Sequence, residues 1–167
     1  LTKKRQLASS LLVPTELNPE DIYGGMFEGG VKSERLFVER SENELYELET
    51  GEDFEKYIAD LLHHHGFEVR LTPRSWDKGC DLVARLGHRK ILIQCKQVRS
   101  DSVLNRGVNE IVAASKHYAG WSAKALITNA KNVTKAQEHE ALASDVQIHT
   151  LSSLLNAGTE LYQGLTE

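Results

Sequence analysis

Asp81, Gln94 and Lys96 stand in the stretch CDLVARLGHRKILIQCKQ, residues 80–97, whose other members are largely apolar. In a strand, residues two apart share a face. Gln94 and Lys96 therefore point together, while Ile91, Ile93 and Cys95 point to the opposite side. Antiparallel pairing through the turn near Gly87 carries Asp81 to the same region. A buried charge without a partner is costly, and a hard cation such as Mg²⁺ is one partner that suits this set. It prefers an octahedron of oxygen ligands. Asp81 offers the anionic oxygen, Gln94 an amide oxygen, and Cys95 its backbone carbonyl, because its side chain already faces the core. Lys96 places an ammonium group where it can orient the attacking hydroxide or stabilise charge growing on a phosphate. An amide in place of a second carboxylate removes one negative charge, so such a site relies more on substrate phosphate. Glu55, beside the apolar Phe54 and Ile58, is the acid expected to compensate. Glu52 and Asp53 are assigned to capping a helix start.

The elements that must position these groups are legible from spacing. Thr50 and Asp53 resemble a capping box, and Phe54, Ile58, Leu61, Leu62 and His65 fall on one helical face that Gly66 ends. GFEVRLT alternates as a strand, with Phe67, Val69 and Leu71 on its buried face. CDLVAR and KILIQCKQV are the next two strands. Residues 103–119 have helical spacing at Val108, Ile111, Val112, Ser115 and Tyr118 or Ala119. SAKALITN is a buried strand ending at Thr128 and Asn129. Thr134 and Gln137 open a helix to about Ala143, VQIHT is a short strand, and LSSLLNAG a last helical turn or two. KSERLFVE reads as an isolated alternating strand. This order describes an α/β layer structure with a mixed sheet, its first three strands a meander and its later ones joined by helical crossovers.

Composition narrows the class. The 167 residues suffice for one domain with a self-sufficient core, and two cysteines suit a reducing, cytoplasmic setting. No apolar run reaches the length of a membrane span, and no signal peptide is apparent. Because the chain begins with Leu1, it is expected to be cut from, or fused in, something longer. The net charge of −4 hides a division: residues 61–135 hold 13 Lys or Arg against 5 Asp or Glu, while both flanks are acidic. A polyanion would meet a basic strip there if the fold gathers those side chains.

G-x-x-F-E at 51–55, Gly66-Phe67, S-x-D-x-G-x-D at 75–81, L-I-Q-C-K at 92–96, V-x-E-I at 108–111, I-T-N at 127–129 and Thr134 with Ala136 and Gln137 resemble the Mrr-like restriction endonucleases, a branch of the PD-(D/E)xK nuclease superfamily. The resemblance covers about residues 50–156. It implies a restriction-endonuclease-like three-layer core, a central mixed sheet flanked by helices. It also implies hydrolysis of DNA phosphodiester bonds with Mg²⁺, or Mn²⁺ as a substitute, in restriction or defence against foreign or modified DNA. Glutamine at position 94 is a variant of that branch. Carried over by motif, Asp81 and Gln94 are metal ligands, Lys96 the catalytic lysine and Glu55 the acid of the helix. Asn109 stands where many relatives have glutamine, and no role is carried to it. The domain bounds expected are 1–49 as an N-terminal extension of unassigned role, 50–158 as the nuclease domain and 159–167 as a tail. A homodimer is expected, since cutting two strands usually needs two sites.

Other residues divide between DNA contact and plainer roles. Trp76, with Arg74 and Lys78 beside it, is placed to stack on or contact DNA; Arg99, Lys116, Lys124 and Lys131 are candidates for phosphate, against solvated surface. Asp77 suits turn formation equally well. His63, His64 and His65 diverge around a helix, and Cys80 and Cys95 face the core, which disfavours zinc. Two readings compete with the nuclease: an inert DNA-binding module of the same shape, and a structure-selective nuclease that resolves junctions.

Overall fold

Two capping boxes open the described part of the chain. Ser41 and Glu44 start α1, Glu42–Tyr46, and Thr50 and Asp53 start α2, Gly51–His64. In the second box Asp53 N–H donates to Thr50 Oγ1 at 3.1 Å and Thr50 N–H to Asp53 Oδ2 at 3.1 Å, as Thr50 and Asp53 predict. The structure is a computed structural model and describes residues 36–72, 79–99, 103–104 and 106–167. Arg74, Trp76, Asp77 and Lys78 lie outside the described residues.

Five strands follow the expected order: β1, Glu68–Leu71; β2, Leu82–Leu86; β3, Arg89–Lys96; β4, Ala123–Thr128; and β5, Gln147–His149. They form one sheet in the order β1-β2-β3-β4-β5. The first three are an antiparallel meander, and β3, β4 and β5 run parallel. Gly87, at φ 58°, makes the turn that sets Leu86 opposite Arg89 and so Leu82 opposite Ile93. The crossovers are α3, Val108–Ser115, and α4, Lys135–Ala143. Helix α5, Leu151–Leu154, and α6, Thr159–Thr166, close the chain.

The period of two in β3 divides the core. Ile91, Ile93 and Cys95 join Phe54, Ile58, Leu61 and Leu62 of α2 in one apolar layer. Leu92 joins Val83, Val108, Ile111 and Leu126 in the other. The result is the expected three-layer arrangement, helices on both faces of a mixed sheet.

Several local expectations change. Among the described residues, KSERLFVE forms no strand: Leu36 and Val38 are 91% and 74% exposed, while Phe37 turns inward onto Tyr57 and His64. The alternation is real, but its partners are aromatic rings. Leu71, placed on the buried face of β1, is exposed at the strand end. Helix α3 is shorter than 103–119 because Gly107, at φ 141°, delays its start. Thr134 caps α4, but the Gln137 side chain donates to Glu140 instead of returning to the cap. Beyond residue 158, Leu161 and Leu165 of α6 are fully buried in the α2 layer, which Leu45 and Leu48 enter from the other end.

His149 on β5 is buried against α6, where a Cβ on Gly164 would come within 2.5 Å of its Cε1. Its Nε2 has no hydrogen-bond partner. Burial lowers its pKa from 6.5 to about 4. The folded state thus resists a proton that the unfolded chain accepts, so stability falls as pH drops from about 6.5 toward about 4 and levels off below. The loss expected over that window is at most about 3 kcal/mol. Denaturant unfolding at a series of pH values checks it: His149→Leu should flatten this part of the profile, and an unchanged slope would remove the assignment.

Candidate active site

β2 begins at Leu82, one residue beyond Asp81, and this places the aspartate at the end of the paired ladder. Asp81 N–H still donates to the Ile93 carbonyl at 2.9 Å, and Thr72 N–H donates to the Asp81 carbonyl at 2.9 Å. Thr72 Oγ1 also donates to the Cys80 carbonyl. With its backbone held this way, Asp81 turns its carboxylate across the end of β3. Asp81 Oδ2 accepts Gln94 Nε2 at 2.6 Å and the Cys95 backbone N–H at 2.7 Å. The hairpin register thus brings together the aspartate and the amide that the sequence pairs.

The amide has a consequence for oxygen chemistry. Only the NH₂ end of Gln94 can face a carboxylate oxygen, so its Oε1 points the other way. Gln94 is 5% exposed, and Oε1 has no hydrogen-bond partner. A buried carbonyl oxygen left without a donor costs about 1–3 kcal/mol. The Cys95 carbonyl lies 3.4 Å from Gln94 Nε2, in the same small region. Asp81 Oδ2 and the Cys95 carbonyl both lie at the Nε2 end of the amide, so Oε1 joins them as a donor set for a hard divalent cation only if the amide turns over and exchanges its two ends. Among the described residues no three His, Cys, Asp or Glu side chains gather as a metal cluster. The oxygens here are of mixed type, with a single carboxylate on the hairpin.

The electrostatics around Cys95 place the other charged groups. Burial pushes its thiol well above its ordinary value; the negative charges of Asp81 and Glu55 push it further, and Lys96 opposes them. All three charges therefore lie within electrostatic reach of one buried sulfur. Glu55 is partly buried on α2, between Phe54, which anchors the core face, and the exposed Lys56.

Lys96 takes a direction that the strand period does not specify. Its Nζ pairs with Glu110 Oε2 on α3. Gly107 and Gly79 make this approach feasible. A Cβ on Gly107 would meet Leu126 Cδ1 at 2.8 Å and Lys96 Cγ at 3.3 Å, and one on Gly79 would meet the Glu110 carbonyl oxygen at 2.7 Å. Both glycines have positive φ, 141° and 85°, which L side chains rarely adopt. Glu110 was given no role from sequence. Its signal was an acid between the buried Val108 and Ile111 in the first turn of a helix.

The exit of β3 is fixed by side chains bonded to backbone. Asn129, fully buried, accepts Val98 N–H at 2.6 Å and donates to the carbonyls of Val98 at 2.7 Å and Leu45 at 3.0 Å. Gln97 Nε2 donates to the Leu48 carbonyl at 2.6 Å, and Arg99 Nη2 to the Glu49 carbonyl at 2.9 Å. Asn129 is thus a tie between segments. Among the other candidate DNA contacts, Arg99 holds backbone and Lys131 pairs with Glu42 at 2.6 Å. Lys116 caps the C-terminal end of α3, away from Glu110. Lys124 is buried with its ammonium 4.7 Å from the Trp121 ring centroid, near the start of β4 and opposite Leu92. Arg85 pairs with Glu68, and Lys90 donates to the Ala119 carbonyl. Among the described residues of 61–135, Arg85, Lys90, Lys96, Arg99, Lys124 and Lys131 are thus engaged within the molecule. Two of the three histidines serve packing: His64 stacks on Phe37 and His65 on Tyr162, and His65 Nε2 donates to the Ala157 carbonyl at 2.5 Å, while His63 is exposed.

A family model and one solved structure agree with this architecture. A family model described as restriction endonuclease, the Mrr catalytic domain, matches residues 47–157. The crystal structure of AF1548, a protein of unknown function, superposes with a TM-score of 0.53 at 19% identity, covering 73% of this chain and 66% of that one. The MspJI restriction endonuclease in complex with a 27-mer oligonucleotide gives a TM-score of 0.45 at 16% identity, covering 74% of this chain and 33% of that one. This chain therefore spans less than two thirds of the length of either. No curated protein matches the sequence significantly.

Proposed function

Because the chain belongs to the Mrr-like restriction endonuclease family, we propose that it is a metal-dependent endodeoxyribonuclease acting on foreign or modified DNA, as a homodimer. The observation that carries this reading is the Asp81 carboxylate bonded to the Gln94 amide at the end of β3, with the amide's buried oxygen left without a hydrogen-bond partner. Asp81, Gln94 Oε1 and the Cys95 carbonyl would hold a divalent cation, Mg²⁺ or Mn²⁺, and Glu55 would add the second acid. When bound, such an ion neutralises a phosphate and makes a water a better nucleophile. With a cation at Asp81 the Gln94 amide would turn over so that Oε1 takes the place of Nε2 beside the carboxylate, while the bond from Cys95 N–H to Asp81 keeps the end of β3 in place. Lys96 brings an ammonium group to the charge that grows on the phosphate. No helix among the described residues is long and apolar enough to cross a membrane.

The test is incubation of the protein with unmodified, methylated and branched DNA in Mg²⁺ or Mn²⁺. Strand scission that stops on chelation is expected. Scission of branched DNA alone would redirect the assignment to a junction-resolving enzyme. DNA binding without scission of any substrate would make the domain an inert binding module.

A further inference from the structure

Glu110 stands outside the proposed metal donor set, yet it holds the Lys96 ammonium. Its carboxylate pairs with Lys96 Nζ, and the two side chains are 44% and 30% exposed. The pair is thus reachable from solvent and weak enough to be exchanged for another partner. Its geometry is nevertheless built in. Gly79 lets the backbone that leads to Asp81 pass against the Glu110 carbonyl, and Gly107 lets the start of α3 lie on the Lys96 stem. The Glu110 backbone is held between these two contacts, which keeps its carboxylate facing the ammonium.

An incoming phosphodiester therefore meets a neutral pair where the sequence suggests a cation. We propose that Glu110 is a positioning residue that latches Lys96 and masks its charge from DNA until a phosphate displaces the carboxylate. The latch lowers affinity for DNA that merely passes through the site. It leaves Lys96 available where the phosphate is seated well enough to compete. This proposal rests on the reading of the site as one that takes DNA.

The experiment measures DNA affinity without divalent metal across a salt series, for the wild type, Glu110→Gln, Lys96→Ala and the double variant. Glutamine has the shape of glutamate, so the packing against Gly79 is kept, and thermal melting confirms folding. Unmasking one cation adds about one phosphate contact, which steepens the log–log salt slope by about 0.9 and tightens binding about five- to tenfold at 0.1 M salt. The gain should vanish when Lys96→Ala is combined with Glu110→Gln, an outcome that a general loss of negative charge would not produce. Unchanged affinity and slope in Glu110→Gln, with wild-type cleavage intact, overturns the latch and leaves the nuclease standing. A gain that persists without Lys96 also overturns it. Failure of every variant to bind DNA overturns both.

Discussion

Changing Lys96→Ala is expected to slow DNA cleavage by at least about a hundredfold, the usual scale for removing a group that stabilises transition-state charge. The fold should survive. Lys96 is partly exposed, and its ion partner Glu110 is more so, so losing the pair costs under about 1 kcal/mol. Single-turnover cleavage beside a thermal melt separates the two effects. Cleavage at the wild-type rate would remove Lys96 from the chemistry and with it the proposed mechanism.

Asp81 is expected to show as large a loss, but its two natural replacements should part company. Oδ2 accepts both Gln94 Nε2 and Cys95 N–H. Asp81→Ala deletes the acceptor and leaves a backbone N–H and an amide without it, a cost of about 1–3 kcal/mol. Asp81→Asn keeps an oxygen for those donors while it removes the charge and turns the other oxygen into an NH₂ group. Both variants should cut at least about a hundredfold more slowly, while the melting temperature falls markedly for alanine alone. Equal melting of the two would show that the bonds to β3 carry no weight, and persistent cleavage in Asp81→Asn would exclude the carboxylate as the metal's anionic ligand.

The meeting of Asp81 with Gln94 was legible because it follows from local rules. Gly87 sets a tight turn, antiparallel pairing then aligns positions on either side of it, and the period of two assigns faces. The Thr50–Asp53 capping box and the apolar stripe of α2 are equally local. What escaped depends on partners distant in sequence. The Lys96 side chain has several rotatable bonds, and its direction is chosen by Glu110 across the crossover. Arg99 and Lys131 look like surface cations until residues 42–49 arrive beside them. Helix α6 offers only Leu161 and Leu165 as an apolar pair, with Gly164 between them, and it becomes helix because the α2 layer has room for both leucines. The described end of KSERLFVE, residues 36–39, departs for the converse reason: its alternation suggests strand pairing, whereas Phe37 packs on rings.

The grip that Asn129, Gln97 and Arg99 exert on the carbonyls of Leu45, Leu48 and Glu49 makes the stretch before α2 a strut braced against the end of the lysine-bearing strand. A pull on that stretch is delivered to residues 97–99 through backbone oxygens, which no side-chain substitution in residues 45–49 deletes. That route runs beside the packing of Leu45 and Leu48 in the α2 layer, so the stretch before α2 is tied to the end of β3 twice, by backbone bonds and by core contacts.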